Sequence, residues 1–251
     1  MADKNTVSRR AVITGLAATA GVAAITATAD AHCGVCGAVG KKLVKAVKGK
    51  VGKGNLHFHN KDFYTDGKFN EDKAKDACIA VMKYHGYPIF PDMKENLWVS
   101  DYEVGQFTKF GLAARMWQNN EADRYMQMDL FLLPGQMLPE HWHLATDKNP
   151  PKREGWLVRH GLSHIVGIGE PNLSKECVVP KCHMGGKTET KHEVIATPGV
   201  FVPLAKVLTK HWQLAGPEGA IITESANVHD NKGVRHSDPI ANKYFIKLAN
   251  S

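Results

Sequence analysis

His141-Trp142-His143 constrains this chain more than any other feature. In an extended strand, residues i and i+2 point to the same face. A strand here sets the two imidazoles side by side and turns Trp142 the other way. Five residues separate Gly135 from His141, and six separate Glu154 from Gly161. Two imidazoles and a carboxylate, in that order, are ligand types for a divalent ion. The run therefore predicts a β fold whose interior face can hold a metal.

The rest of the chain agrees with a β fold. Short apolar or alternating runs recur from about residue 96: 96–100, 107–113, 124–133, 155–158, 164–168, 192–196, 200–203, 220–224 and 244–248. Turn residues separate them, among them Pro134-Gly135, Gly185-Gly186, Pro198-Gly199 and Gly216-Pro217. Many short strands with frequent turns predict a double-sheet roll or barrel. Ahead of them, Asn70-Glu71-Asp72 reads as an N-cap with an acidic first turn. Ala74, Ala77, Cys78, Val81 and Met82 give that helix its apolar stripe, and Gly86 and Pro88 end it. Residues 55–68 read as a short strand and turn. His57-Phe58-His59 repeats the H-x-H pattern there, but no Glu follows at a comparable spacing, so it is not read as a metal site.

At 251 residues, with 43% hydrophobic and 23% charged content, the chain has globular composition and room for one domain with extensions. Residues 1–31 read as one such extension. Ser8-Arg9-Arg10 precedes an Ala/Thr/Gly-rich apolar stretch that ends in Ala29-Asp30-Ala31. This resembles a twin-arginine export signal cleaved after Ala31, with Val12 and Ile13 where Phe and Leu are common. A periplasmic or secreted protein is the expectation. Residues 32–54 read as a basic linker that carries much of the +7 net charge in Lys41, Lys42, Lys45, Lys48, Lys50 and Lys53. Such a segment is solvated, and an anionic surface is the partner it would meet. No aromatic residues interleave the lysines, so base stacking, and with it nucleic acid, finds no support. Residues 55–251 form the remaining domain.

Export would allow cysteines to pair. Cys177 and Cys182 flank Pro180 and form either a disulfide or free thiols. Cys33-Gly34-Val35-Cys36 lacks the βαβ surroundings of a redox motif. Cys78 falls in the helical stripe and reads as a buried thiol.

The run from Gly135 to Gly161 resembles the first motif of the cupin superfamily, small jelly-roll β-barrels. The resemblance implies a mainly β, cupin-type jelly-roll β-barrel with an N-terminal helical and loop extension. One spacing departs: ten residues separate His143 from Glu154, so Leu144–Arg153 must bulge out as a loop. Pro198-Gly199-Val200-Phe201-Val202-Pro203 resembles the start of the second motif, which makes His211 the expected fourth ligand, with His192 and His229 behind it. Three stretches are similar to the D-lyxose ketol-isomerase family of cupins: YMQMDLFLLPGQMLPEHWH, Lys152-Arg153-Glu154, and Glu224-Ser225 followed by His229-Asp230-Asn231 and Asp238-Pro239.

That resemblance implies an aldose–ketose isomerase acting on a free sugar of the D-lyxose/D-xylulose type through an enediolate. It implies Mn²⁺; Fe²⁺, Co²⁺, Ni²⁺ and Zn²⁺ also suit the ligand types. The metal ligands are His141, His143, Glu154 and His211. Glu224 is the expected base and Lys152 its acid or oxyanion partner, and the two roles are exchangeable. His229, Asp230, Arg235 and Asp238 are expected to grip sugar hydroxyls. Trp142, Trp156 and Trp212 are sugar-stacking or core residues. A homodimer is the expected assembly. A cupin oxygenase, or a non-catalytic metal- or sugar-binding cupin, would share the ligands without needing Glu224 and Lys152 as a proton-transfer pair.

Overall fold

The computed structural model describes residues 56–250. The export signal, the basic linker and the Cys33–Cys36 motif lie outside them.

Of the N-terminal part the helix forms as expected, whereas the strand and turn expected over residues 55–68 are a 3-10 helix, Asn60–Phe63, followed by a small hairpin. Asp66 and Gly67 both take positive φ, 52° and 74°, and close the two-residue hairpin between β1 (Tyr64–Thr65) and β2 (Lys68–Phe69). Helix α1 spans Glu71–His85; the Asn70 side chain accepts from the Lys73 amide, and Gly86 ends the helix in the left-handed region. Its buried stripe is Ala74, Ala77, Cys78, Val81 and Met82. The stripe packs with Phe107, Ala113, Phe131, Leu133 and Ile221 against the outside of the sheet.

The described strands of the main sheet number nine, all antiparallel to their ladder partners: β3 (Trp98–Ser100), β4 (Leu112–Asn120), β5 (Tyr125–Leu132), β6 (Met137–His143), β7 (Glu154–Gly167), β8 (His192–Ala196), β9 (Phe201–Pro203), β10 (His211–Ala226) and β11 (Val234–His236). Strand β10 is the spine. Its first half pairs with β6 and its second half with β5, while β7 runs along both. The order β11-β6-β10-β5-β4-β3 is thus one path, and β7 carries β8 and β9 off it. Leu130, Leu132, Leu138, Trp156, Val158 and Ile222 fill the interior core.

One pair of expected strands is a single long strand, and another expected strand is half of a longer one. Residues 155–158 and 164–168 both fall on β7, and 220–224 is the second half of β10. Two expectations are corrected. Residues 107–110 are a turn closed by Phe110 N–H donating to the Gln106 carbonyl, and the strand runs Leu112–Asn120 instead. Residues 244–248 lie in helix α2 (Pro239–Ala249), not a strand. Asp238 caps α2 by accepting from the Ile240 and Ala241 amides, with Pro239 beside it, and Ala241 and Phe245 are buried at i, i+4 spacing. Cys177 and Cys182 are free thiols. No described helix is long and apolar enough to cross a membrane.

Gly161, the glycine that closes the metal-motif run, has φ +72° and faces Gly219 at +75° where β7 and β10 change register. A Cβ on Gly161 would lie 2.1 Å from the Gly219 carbonyl oxygen. Gly161→Ala is expected to lower unfolding stability by about 2 kcal/mol or more in urea melts. A loss below about 0.5 kcal/mol would mean the two backbones do not meet there.

Candidate metal and active site

Strand pairing assembles the site. His141 lies opposite His211 on β10 and opposite His236 on β11, so three adjacent strands each place a histidine in one row. His143 extends the row two residues further along β6. The ring pair His141–His211 is 4.3 Å apart, and the donor atoms of His141, His143 and His211 all lie within 4.8 Å of one another. Trp142 points away, with the Lys210 ammonium 4.6 Å over its ring.

Glu154 reaches the same point from the first residue of β7. Its Oε1 lies 3.3 Å from His143 Nε2 and 3.2 Å from His211 Nε2. None of these three atoms makes a hydrogen bond, and all three are buried. Unpaired buried donors and acceptors are costly, so three convergent side chains left this way, with His141 beside them, fit a cation among them. The Nδ1–H groups of His141 and His211 donate to the carbonyls of Pro139 at 2.8 Å and Thr209 at 3.0 Å. That tautomer leaves each Nε2 free as a ligand. Burial pushes His141 well below the usual imidazole range, helped by His211 and His143, and burial does the same to His143. Neutral imidazoles are the ligand form. Burial alone would raise the Glu154 carboxyl, but His143, Lys152 and His211 hold it well below the usual carboxylate range. Donor set and protonation both fit a divalent ion.

The ten-residue gap before Glu154 is a pinned loop. Asp230 accepts from Thr146 Oγ1 at 2.7 Å and Asn149 Nδ2 at 2.9 Å. Leu144 N–H donates to the Gly233 carbonyl, and the Asn227 side chain accepts from the Arg153 amide while donating to the Pro151 carbonyl. The excursion leaves beside β11 and returns the chain in register at Glu154↔Ala226.

Lys152, two residues before Glu154, turns inward and is 3% exposed. Its Nζ lies 3.0 Å from Glu154 Oε2 and forms a close ion pair with Glu224 on β10. Trp156 Nε1–H donates to the second Glu224 oxygen at 3.1 Å. Burial opposes the charge on Lys152, but Glu154 and Glu224 outweigh it and raise its pKa. Burial pushes the Glu224 carboxyl up to about 7, against the pull of Lys152.

His141, His143, Lys152 and Glu224 open together onto a cavity of about 250 Å³. Trp98, Tyr102, Met116, Met128, Leu130 and Leu138 supply its apolar walls, and α2 adds Phe245 and Leu248. His229, Asn231 and His236 complete the polar lining. Among the four residues expected to grip a sugar, only His229 lines this cavity. Asp230 pins the loop, and Asp238 caps α2. Arg235 pairs with Trp142 across β6–β11 and so shares the face opposite His141; its guanidinium donates to the carbonyls of Lys232 and Val234. Trp156 and Trp212 are core residues, and His192 bonds to the Glu170 carbonyl, away from the row. His57 and His59 are exposed. Sequence reasoning missed His236, Trp98 and Tyr102. For His236 the alternation Val234-x-His236, just after the named Asp230, was the available signal.

A nine-stranded antiparallel roll with three histidines and a glutamate in its interior is the architecture of the cupins. The Acinetobacter sp. DL28 L-ribose isomerase, solved in complex with L-ribose, shares the fold with a TM-score of 0.50 at 12% identity, over 70% of this chain and 94% of that one. Sequence similarity reaches further. A D-lyxose/D-mannose isomerase of Thermosediminibacter oceani is 33% identical over 167 residues, covering 66% of this chain and 90% of that protein. A D-lyxose ketol-isomerase of Cohnella laeviribosi is 31% identical over the same length, with the same coverage. No protein-family model matches the chain. The chain belongs to the D-lyxose ketol-isomerase family and is an isomerase.

Two substitutions test the ligand geometry by metal analysis after dialysis. His211→Ala is expected to lose the ion. Asp230→Ala, which frees the loop that delivers Glu154, is expected to weaken divalent-ion binding about ten- to hundredfold. Unchanged affinity in both would mean the ion sits elsewhere.

Proposed function

We propose that the protein is a metal-dependent aldose–ketose isomerase of free sugars of the D-lyxose type, interconverting D-lyxose with D-xylulose. The observation that carries this reading is the buried Lys152–Glu224 pair beside His141 and His143 in one small cavity. A binding protein or an oxygenase has no use for that pair. The cavity is at the small end of ligand pockets, which favours a single sugar over an oligosaccharide. The names of the relatives support the sugar class. D-lyxose and D-mannose share their configuration at C2, C3 and C4, so one site accommodates either.

His141, His143, Glu154 and His211 would hold the ion, with Mn²⁺ proposed. When bound, it supplies Lewis-acid polarisation of the carbonyl and hydroxyl oxygens of the open-chain sugar. Glu224 takes the proton from C2 and returns it to C1 through an enediolate, while the hydroxyl proton passes from O2 to O1. A carboxyl lifted towards neutrality is suited to both halves of that transfer. The Lys152 ammonium faces the negative oxygen that develops and keeps Glu224 aimed at the sugar. Trp156 Nε1–H donates to the other Glu224 oxygen and fixes the orientation of the carboxylate. Apolar walls from Trp98, Tyr102 and Leu138 keep water from the intermediate. Export through residues 1–31 belongs to the same proposal, and rests on Ser8-Arg9-Arg10 and Ala29-Asp30-Ala31.

Glu224→Gln is expected to abolish deuterium exchange from solvent into C1 or C2 of D-lyxose while the ion stays bound. Exchange at more than about a tenth of the wild-type rate, one decade of transition-state stabilisation, would remove Glu224 from the proton path. No exchange into any pentose or hexose by the metal-loaded wild type would sink the isomerisation itself.

A further inference from the structure

A second group of metal-ligand side chains lies outside the sugar cavity. His164 on β7, Glu193 on β8 and Cys177 in the intervening loop have donor atoms within 4.8 Å of one another, and all three residues are buried. Strand register brings the first two together: Glu193 lies opposite Val166, so it is a diagonal neighbour of His164 on one face. A turn closed by Cys177 N–H donating to the Ser174 carbonyl delivers the thiol. Ser174 then steadies the carboxylate, its Oγ–H donating to Glu193 Oε1 at 2.9 Å.

We propose that His164, Cys177 and Glu193 form a second, structural site for Zn²⁺ or a similar borderline ion. Hydrogen bonds from His164 and Ser174 hold the carboxylate, and the Cys177 thiol lies against it, a weak S–H donor to Glu193. A cation reverses the chemistry of that corner, because a thiolate, an imidazole and a carboxylate together are a zinc donor set. The walls around Cys177 are Met137, Val166, Trp212 and Leu214, dry enough to strengthen the attraction. His164 also lines a cavity with Lys109, Glu176 and Pro180, from which a water would supply the fourth ligand. The ion would fasten residues 168–191, which contain no strand, to both β7 and β8. That loop also carries His183, packed on Phe110 behind the sugar cavity.

Cobalt separates this site from the first. The isomerase ligands contain no sulfur, so a thiolate-to-cobalt charge-transfer band in the near ultraviolet reports Cys177 alone. The chain is used whole, with Cys33→Ser and Cys36→Ser to silence the other thiol pair. Two Co²⁺ per chain and a thiolate band are expected. Cys177→Ser should lose the band and one equivalent, while Cys182→Ser keeps both. Should Cys177→Ser fail to fold, Glu193→Gln is expected to weaken the band-linked equivalent at least tenfold and leave the other unchanged. His141→Ala should keep the band, so this proposal stands or falls apart from the isomerase reading. A single equivalent without a band, or a band that survives Cys177→Ser, overturns it.

Discussion

One buried oxygen organises this protein. Glu154 Oε1 sits between the Nε2 atoms of His143 and His211 with no hydrogen bond to either. A carboxylate taken from water needs a partner of opposite charge. Lys152 supplies one on its far oxygen and leaves the near oxygen facing the imidazoles. A divalent ion there would complete the arrangement, and the surrounding structure can be understood as what brings that oxygen to that place.

Two devices deliver it. Strand β10 begins with His211, and its pairing with β6 and β7 brings three strands to one point. The loop 144–153 leaves the row at His143 and, pinned by Asp230 and Asn227, returns at Glu154. The return also carries Lys152 inward, two residues away and therefore on the same face of the extended chain. One local geometry thus places both the proposed metal ligand Glu154 and the partner of Glu224. A single ammonium group touches Glu154 and Glu224 together, and would couple metal binding to proton transfer in the proposed reaction.

The sequence revealed the parts whose period is local. His141 and His143 announce themselves by spacing, α1 by its cap, stripe and terminal glycine, and Gly161 by its place in the run. Residues 244–248 misled because a short apolar run has no period of its own, while the decisive Asp238-Pro239 cap signal lay further upstream. Arg235 and Asp238 were chosen for chemical type, but orientation depends on register, and β11 turns Arg235 outward beside Trp142. His236 reached the cavity through the same register. Non-local pairing of this kind cannot be read from a window of neighbouring residues.

The most direct test of the central claim is anomalous diffraction from crystals soaked in Mn²⁺. The expected result is a single strong manganese peak bound by Nε2 of His141, His143 and His211 and by Glu154, with Lys152 still on the other carboxylate oxygen. Manganese held by the histidines with Glu154 turned away, or no manganese at this point, would contradict it.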